Sequence, residues 1–76
     1  MAIHRFRLQG ELIELNMLLK LLALAPSGGG AKALVAGGAV AVDGERETRI
    51  RRKLRAGQTV RLAGEEIQVL AADAGV

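Results

Sequence analysis

The clearest pattern of apolar and polar positions runs from residue 27 to residue 44. Ala31, Leu34 and Val35 fall at the i, i+3, i+4 spacing that places apolar side chains on one face of a helix. Ser27 is a suitable N-cap, because its side-chain oxygen can accept a hydrogen bond from the first turn. Gly38 is a suitable helix end, because glycine tolerates a positive φ. The pattern therefore predicts a short helix between Ser27 and Gly38.

Two β-hairpins are predicted after this helix. Residues 39–42 alternate alanine with valine, which is the period of a half-buried strand. Asp43 and Gly44 follow, and both residue types tolerate the positive φ of a type I′ turn. Residues 59–70 alternate in the same way on either side of Gly64, which predicts the second hairpin.

The N-terminal third predicts a strand and a first helix. Residues 4–8 alternate apolar side chains with arginine, which indicates a short edge strand that ends near Gly10. After an extended lead-in, Asn16 is a candidate N-cap for a helix that runs to about Leu24 and is ended by Pro26. Because this helix is apolar on nearly every face, we expect it to be covered on most faces, between the second helix and the sheet.

These elements predict one small α+β domain over residues 1–71, with a short C-terminal tail over residues 72–76. We expect two short helices packed on a small, mostly antiparallel β-sheet. Half of the 76 residues are apolar, but Phe6 is the only aromatic residue, so the core must be aliphatic. The chain has no cysteine, which excludes disulfides and thiolate ligands.

Positive charge is concentrated in one segment. The formal net charge is +3, and six of the eleven lysine and arginine residues lie between residues 45 and 55. These six are Arg46, Arg49, Arg51, Arg52, Lys53 and Arg55. The pattern leaves open whether the segment is strand, turn or helix. It could be a charged strand edge that discourages pairing with other chains. Its density, and the preference for arginine, favour contact with nucleic-acid phosphates.

The residue types point to structured RNA rather than to single strands or to the DNA major groove. Single-strand binders stack bases on exposed aromatic side chains, and this chain has only Phe6. The second helix offers no side chain suited to reading base edges except Lys32. Recognition of backbone and shape remains, with weak sequence specificity.

The glycines that open the second helix have two interpretations. They could form a flexible turn between the helices, or the backbone N–H groups of Gly28 and Gly29 could approach a phosphate closely. The spaced glycines and the following Gly-Lys-Ser/Thr of a nucleotide-binding P-loop are absent.

Catalytic and metal-binding constellations are not predicted. His4 is the only histidine, the sequence places no acid beside it, and the acidic residues look like solvated surface. We therefore expect no enzymatic activity, no metal, no cofactor and no small-molecule substrate.

The apolar run over residues 17–25 ends in Ala-Leu-Ala, which has the form of a signal-peptide cleavage site. Lys20 lies inside the run, and Glu11 and Glu14 lie just before it. The run is also shorter than the roughly 20 residues that span a bilayer. A buried helix of a cytoplasmic domain is the favoured interpretation.

Four segments together resemble a known family. They are LNMLLK at residues 15–20, SGGGAK at 27–32, GAVAVDGERETR at 38–49 and GQTV at 57–60. In this order they resemble the S-four RNA-binding domain, which is named after ribosomal small-subunit protein four and is also called the αL RNA-binding motif. The resemblance covers the whole chain and is strongest to the short stand-alone YbcJ-like members.

The resemblance implies two helices on a small sheet and an RNA surface formed by the start of the second helix and the basic segment. It nominates eight side chains for RNA contact: Lys20, Lys32, Arg46, Arg49, Arg51, Arg52, Lys53 and Arg55. The backbone of Gly28 and Gly29 is a further candidate phosphate contact.

From these observations we expect a non-catalytic, cytoplasmic, monomeric protein that binds structured RNA, with ribosomal or transfer RNA as the favoured class. Ribosomal or RNA-processing proteins are candidate further partners. The alternative is a protein-interaction module whose basic strip docks an acidic protein. That module would show no preference for RNA over other polyanions.

Overall fold

The computed structural model describes residues 2–22 and 28–72, which form two helices packed on a small sheet. The elements are β1 (Ala2–Arg7), β2 (Ile13–Glu14), α1 (Leu15–Leu21), α2 (Gly28–Ala36), β3 (Ala41–Val42), β4 (Glu45–Arg46), β5 (Lys53–Leu54), β6 (Thr59–Leu62) and β7 (Glu65–Leu70). One sheet has the order β1-β7-β6-β3-β4, and β2 pairs separately with β5. Only the β1–β7 pairing is parallel among these ladders. The expected α+β class with a mostly antiparallel sheet is confirmed.

The core is aliphatic, as the composition predicts. Leu15, Leu18 and Leu19 of α1 are fully buried, and Ala31 and Val35 place the apolar face of α2 in the same cluster. From the sheet come the inward side chains of the strands, namely Val42, Val60, Leu62, Ile67 and Val69. Phe6 is half-buried and packs at the edge of this cluster.

Both predicted hairpin turns have a positive φ at both of their central residues. Asp43 and Gly44 have φ values of 51° and 85°. Ala63 and Gly64 have φ values of 45° and 80°. The helix end at Gly38 also has a positive φ, of 81°.

The side chain of Asp43 fixes the first hairpin to the neighbouring strand. Its carboxylate accepts hydrogen bonds from the Thr59 backbone N–H at 2.8 Å and from the Gln58 side-chain amide at 3.1 Å. These hydrogen bonds, the Thr59 one most strongly, lower the pKa of the Asp43 carboxyl.

The start and the end of α1 differ from the prediction. The N-cap is Glu14, which makes no side-chain capping bond, and the helix ends at Leu21 rather than near Leu24. The first-turn donors are instead satisfied by distant carbonyls. The N–H of Leu15 donates to Arg52 at 2.9 Å, and the N–H of Asn16 donates to Ile50 at 3.1 Å. A side-chain cap at Asn16 is therefore unnecessary.

Asn16 lies in the first turn of α1 rather than at its cap. Its side-chain Oδ1 is buried with no hydrogen-bond partner in the described part of the chain. A buried carbonyl oxygen without a hydrogen bond carries a desolvation cost, so the Asn16 side chain lowers the stability of the fold at this position.

The expectation that α1 is covered on most faces is wrong. Met17 is 41% exposed and Leu21 is 60% exposed. In a two-layer fold of this size, the helix has only α2 and the strands to pack against, so one face stays in contact with solvent.

The first strand is the predicted edge strand, but it spans Ala2–Arg7 rather than residues 4–8. Leu8 follows it and donates its N–H to Leu70 at 2.9 Å. The predicted N-cap at Ser27, the stop at Pro26, the small-residue motif at 23–25 and most of the tail lie outside the described residues. Neither α1 nor α2 is long and apolar enough to span a bilayer.

Ala63 provides a test of the second hairpin, because an L-residue with a side chain is strained in the left-handed region by roughly 1–2 kcal/mol. We expect A63G to raise the free energy of unfolding by about 0.5 kcal/mol, since part of the gain is offset by the greater unfolded-state entropy of glycine. Thermal and urea unfolding measure this.

The matched control is A33G, the same change at an exposed position inside α2, which should lower stability by about 1 kcal/mol. If A63G destabilised the domain as much as A33G, Ala63 would not occupy a strained turn position.

Candidate nucleic-acid interface

The six clustered cations lie on one loop, which we call the basic loop (residues 46–55). It leaves the sheet after β4, turns at residues 50–51 and re-enters regular structure at β5. Leu54 is fully buried and pairs with Ile13, and Ile50 packs against the core. The segment left open by the sequence is thus the short strands β4 and β5 joined by an irregular turn, and two apolar anchors hold it.

Backbone hydrogen bonds attach this loop to both layers of the fold. Its carbonyls at Ile50 and Arg52 accept from the first turn of α1, as described above. The N–H of Glu47 donates to Val40 at 2.9 Å, which extends the edge of the sheet. The position of the loop is therefore set by α1 on one side and by β3 on the other.

Glu47 is the buried centre of the loop. Its side chain is only 8% exposed, and both carboxylate oxygens accept hydrogen bonds from arginine. Oε2 accepts from the Nε and the backbone N–H of Arg49, each at 3.0 Å. Oε1 accepts from Nη2 of Arg49 at 3.1 Å and from Nη1 of Arg52 at 2.8 Å. This fork geometry is the strong form of the arginine–carboxylate pair.

The side-chain hydrogen bonds from Arg49 lower the pKa of Glu47 from 4.5 to about 2, with smaller contributions from the Arg49 backbone and from Arg52. Burial opposes this shift, because desolvation disfavours the charged carboxylate. The hydrogen bonds prevail, so Glu47 is ionised at neutral pH.

The expectation that the acidic residues are solvated surface is wrong for two of them. Both are glutamates: Glu47 is buried against two arginine side chains, and Glu66 is buried against one. A glutamate within a charged run carries no local sign of burial, because the arginines that compensate its charge do so through folded geometry.

The expectation that no acid lies beside His4 is also wrong. Its Nε2 is 3.1 Å from Oε2 of Glu65, because the β1–β7 pairing joins residues 61 positions apart. The pair lies on the first and last strands rather than on the basic loop. Within the described residues, no three histidine, aspartate or glutamate side chains are grouped so as to hold a metal ion.

Arg51 and Lys53 are two exposed cations of the loop whose side chains are unpaired among the described residues, as are those of Arg46 and Arg55. Neither the Arg51 nor the Lys53 side chain makes a hydrogen bond or ion pair with another described residue. Together with Arg49, Ile50 and Arg52 they line an open concave surface of about 640 Å³. An anionic ligand would meet unpaired cations on this surface.

The remaining nominated residues surround the loop to different degrees. Arg46 packs beside Gly38 at the end of α2. A Cβ atom added to Gly38 would lie 3.2 Å from the Cδ atom of Arg46. Arg55 is exposed, and its backbone N–H donates to Gln58 Oε1 at 2.8 Å. The structure thus brings together the six loop cations.

The helix residues are not joined to the loop in the same way. Lys20 is exposed in the last turn of α1, and Lys32 is exposed on α2. Across residues 2–22 and 28–72, no hydrogen bond or ion pair connects either lysine to the loop. Gly28 and Gly29 occupy the first two positions of α2. The role of these four residues stays a prediction.

Glu47 is the residue that sequence reasoning missed at this site. Because its pKa is lowered, it stabilises the fold above pH 4.5, and this stabilisation is lost as the pH falls from 4.5 towards 2. We expect E47Q to lower the free energy of unfolding by roughly 2 kcal/mol at pH 7, and most of the difference from wild type to be lost as the pH falls to about 2, the lowered pKa of Glu47.

Urea unfolding of both proteins across this pH range measures the effect. Subtracting the unfolding free energy of E47Q from that of wild type at each pH removes the contributions of the other carboxyls. A difference that did not change with pH would show that the charge of Glu47 is not what stabilises the loop.

Comparison with known proteins gives three concordant matches. The family described as the S4 domain matches residues 6–70. A protein of Escherichia coli (strain K12) named "Putative RNA-binding protein YbcJ" is 52% identical over 59 residues, which are 78% of this chain and 84% of that protein. A protein of Shigella flexneri named "Uncharacterized protein YbcJ" has the same identity and coverage.

A solved structure agrees with the sequence matches. The solution structure of YbcJ from Escherichia coli superposes with a TM-score of 0.69 at 45% identity, covering 93% of this chain and 91% of that one. That protein is described as having an αL motif involved in RNA binding. The family match, the relatives and the shared fold agree, and the chain belongs to the S4 domain family.

Proposed function

We propose that this protein binds structured RNA through the basic loop and catalyses no reaction on it. The observation that carries the proposal is the set of six cations held on one anchored loop, with a single carboxylate, Glu47, among them. The loop therefore keeps five net positive charges, which attract the phosphate backbone. The names given to the Escherichia coli relative and its structure support the same ligand class.

Glu47 divides the loop cations into two kinds. Arg49 and Arg52 are held in place by its carboxylate, whereas Arg51 and Lys53 are unpaired among the described residues. Arg49 is nevertheless 71% exposed. A guanidinium has five N–H donors, and the Glu47 bonds use two of those on Arg49, so the others can still reach a phosphate. An oriented arginine loses less side-chain entropy when it binds.

The described surface favours recognition of backbone and shape. Phe6 is half-buried, so no exposed aromatic platform is present for stacking bases. We propose ribosomal or transfer RNA as the ligand, with Lys20, Lys32 and the first glycines of α2 as additional contacts. A monomer in the cytoplasm, working beside ribosomal or RNA-processing proteins, fits this role.

The unpaired cations of the loop provide the direct test. We expect R51Q/K53Q to weaken binding to a structured RNA hairpin about tenfold or more, and to reduce the salt dependence of affinity by about two released ions. Stability should not change, because neither side chain makes a bond that the fold uses. Fluorescence anisotropy over a range of salt concentrations, with thermal unfolding in parallel, measures both.

The matched control is R5Q/R7Q, which removes the same charge from β1. It should change the affinity of the protein for one hairpin by less than about threefold. A DNA hairpin of the same sequence tests the sugar, because contacts with the 2′-hydroxyl favour RNA. Equal loss in the two variants would show that only overall charge matters. Stoichiometric binding of an acidic protein, with no preference for RNA, would support the protein-docking alternative.

A further inference from the structure

Three arginines belong neither to the basic loop nor to the helices, and they share one face of the sheet. Ile3 of β1 is in register with Glu66 of β7, which is in register with Arg61 of β6. Residues in register project from the same face of a sheet, and so do residues two apart along a strand. Arg5 and Arg7 therefore project from the same face as Arg61. We call this surface the arginine face (Arg5, Arg7 and Arg61).

The arginine face is open to solvent. Arg5 and Arg7 are exposed, Ile3 is 54% exposed and the side chain of Arg61 is 60% exposed. The alternate positions of the same strands point the other way, where they are buried with the helices. These positions include Val60, Leu62, Ile67 and Val69. The helices thus cover one side of the sheet and leave the arginine side uncovered.

The positive charge of this face is only partly neutralised by its own acidic residue. Glu66 is the acidic residue in register on it, and its two oxygens are already engaged. Oε1 accepts from Arg61 at 2.8 Å, and Oε2 accepts from the side-chain amide of Gln68 at 3.0 Å. Glu65, the next residue, faces the other way, towards His4. Arg5 and Arg7 therefore have no carboxylate partner in the described part of the chain.

We propose that the arginine face binds the phosphate backbone of a second RNA segment, so that one domain bridges two RNA segments. The choice of RNA as ligand rests on the proposed function, whereas the site itself rests on the sheet. Arginine forks match phosphate oxygens bidentately. Ile3 is the one apolar side chain exposed among them, and no aromatic ring accompanies it, so the surface is suited to backbone contact rather than to base stacking.

The spacing of the arginines fits a short length of backbone. Arg5 and Arg7 are two residues apart on one strand, or about 7 Å, and Arg61 lies two strands away, or about 10 Å. Guanidinium groups at these separations can contact neighbouring phosphates of one backbone. The contact is small, so we expect it to be weaker than that of the basic loop.

Arg5 and Arg7 lie at the opposite edge of the sheet from the start of the basic loop. β1 and β4 are the two edge strands of the five-stranded sheet, so roughly 19 Å separates them. Arg61 lies nearer to the loop, because Ala41 of β3 is in register with both Arg61 and Arg46. The distance from β1 to β4 exceeds the Debye length of about 8 Å at physiological salt, so Arg5 and Arg7 act on a ligand largely independently of the charge at the start of the loop. Binding at one leaves the other available.

The test is energy transfer between two RNA hairpins, one labelled with a donor and one with an acceptor, mixed in equal amounts. The hairpins do not pair with each other, so transfer requires a bridging protein. With wild type we expect transfer to rise and then fall as excess protein occupies each hairpin separately. Sedimentation should show one protein with two hairpins.

The decisive variant is R5Q/R7Q, because R61Q would also leave the buried Glu66 without its arginine. We expect R5Q/R7Q to lose about tenfold in the affinity of the second binding event while keeping that of the first within about threefold. The charge-conserving variant R5K/R7K should keep most of the transfer. R51Q/K53Q should lose the first event instead.

Three results would overturn the inference while leaving the proposed function intact. The first is transfer by R5Q/R7Q equal to that of wild type, and the second is binding of a single hairpin by wild type with no transfer. Displacement of the second hairpin by polyglutamate as readily as by RNA would also overturn it, because the face would then be a generic surface for acidic partners. If wild type bound no hairpin at all, the proposed function would fail together with the bridge.

Discussion

Repulsion among like charges is the constraint that the folded loop must overcome. Six cations within ten residues would spread apart in an unanchored segment, and each would then be free to move independently. The buried carboxylate of Glu47 holds two of them, and the apolar anchors Ile50 and Leu54 fix the backbone between them. The charge density is thus sustained by packing and by one counter-charge placed inside the loop rather than around it.

The same loop completes α1. Carbonyls of Ile50 and Arg52 accept the N–H groups that a side-chain cap would otherwise satisfy. The helix start and the candidate RNA surface are therefore one structural unit, and a change that displaces the loop also exposes the first turn of α1. The stability of the fold and the geometry of the basic loop, the proposed RNA surface, therefore depend on each other.

Local signals predicted the parts of the fold that depend on local chemistry. The Asp43–Gly44 turn, the α2 stripe and the second hairpin follow from residue types within a few positions, and the structure has all three. The N-cap of α1, the His4–Glu65 contact and the burial of Glu47 could not be predicted in this way. The first two depend on residues tens of positions away, and the burial of Glu47 depends on an irregular loop with no periodic pattern. The density of the loop cations is visible in the sequence, but their division into held and unpaired side chains depends on the folded position of Glu47.

The parallel ladder between β1 and β7 has a consequence for how the domain forms. Ala2 pairs with Glu65, so β1 gains its hydrogen-bonding neighbour only when the more than 60 residues between them have been made. Closing a loop of that length costs chain entropy before the strand contacts form and stabilise it. Until then Ile3 and the arginines of β1 remain on an unpaired strand, and the nascent chain can assemble its helices and central hairpins but not its outer edge. The β1–β7 ladder is therefore expected to form after the helices and the β3–β4 hairpin.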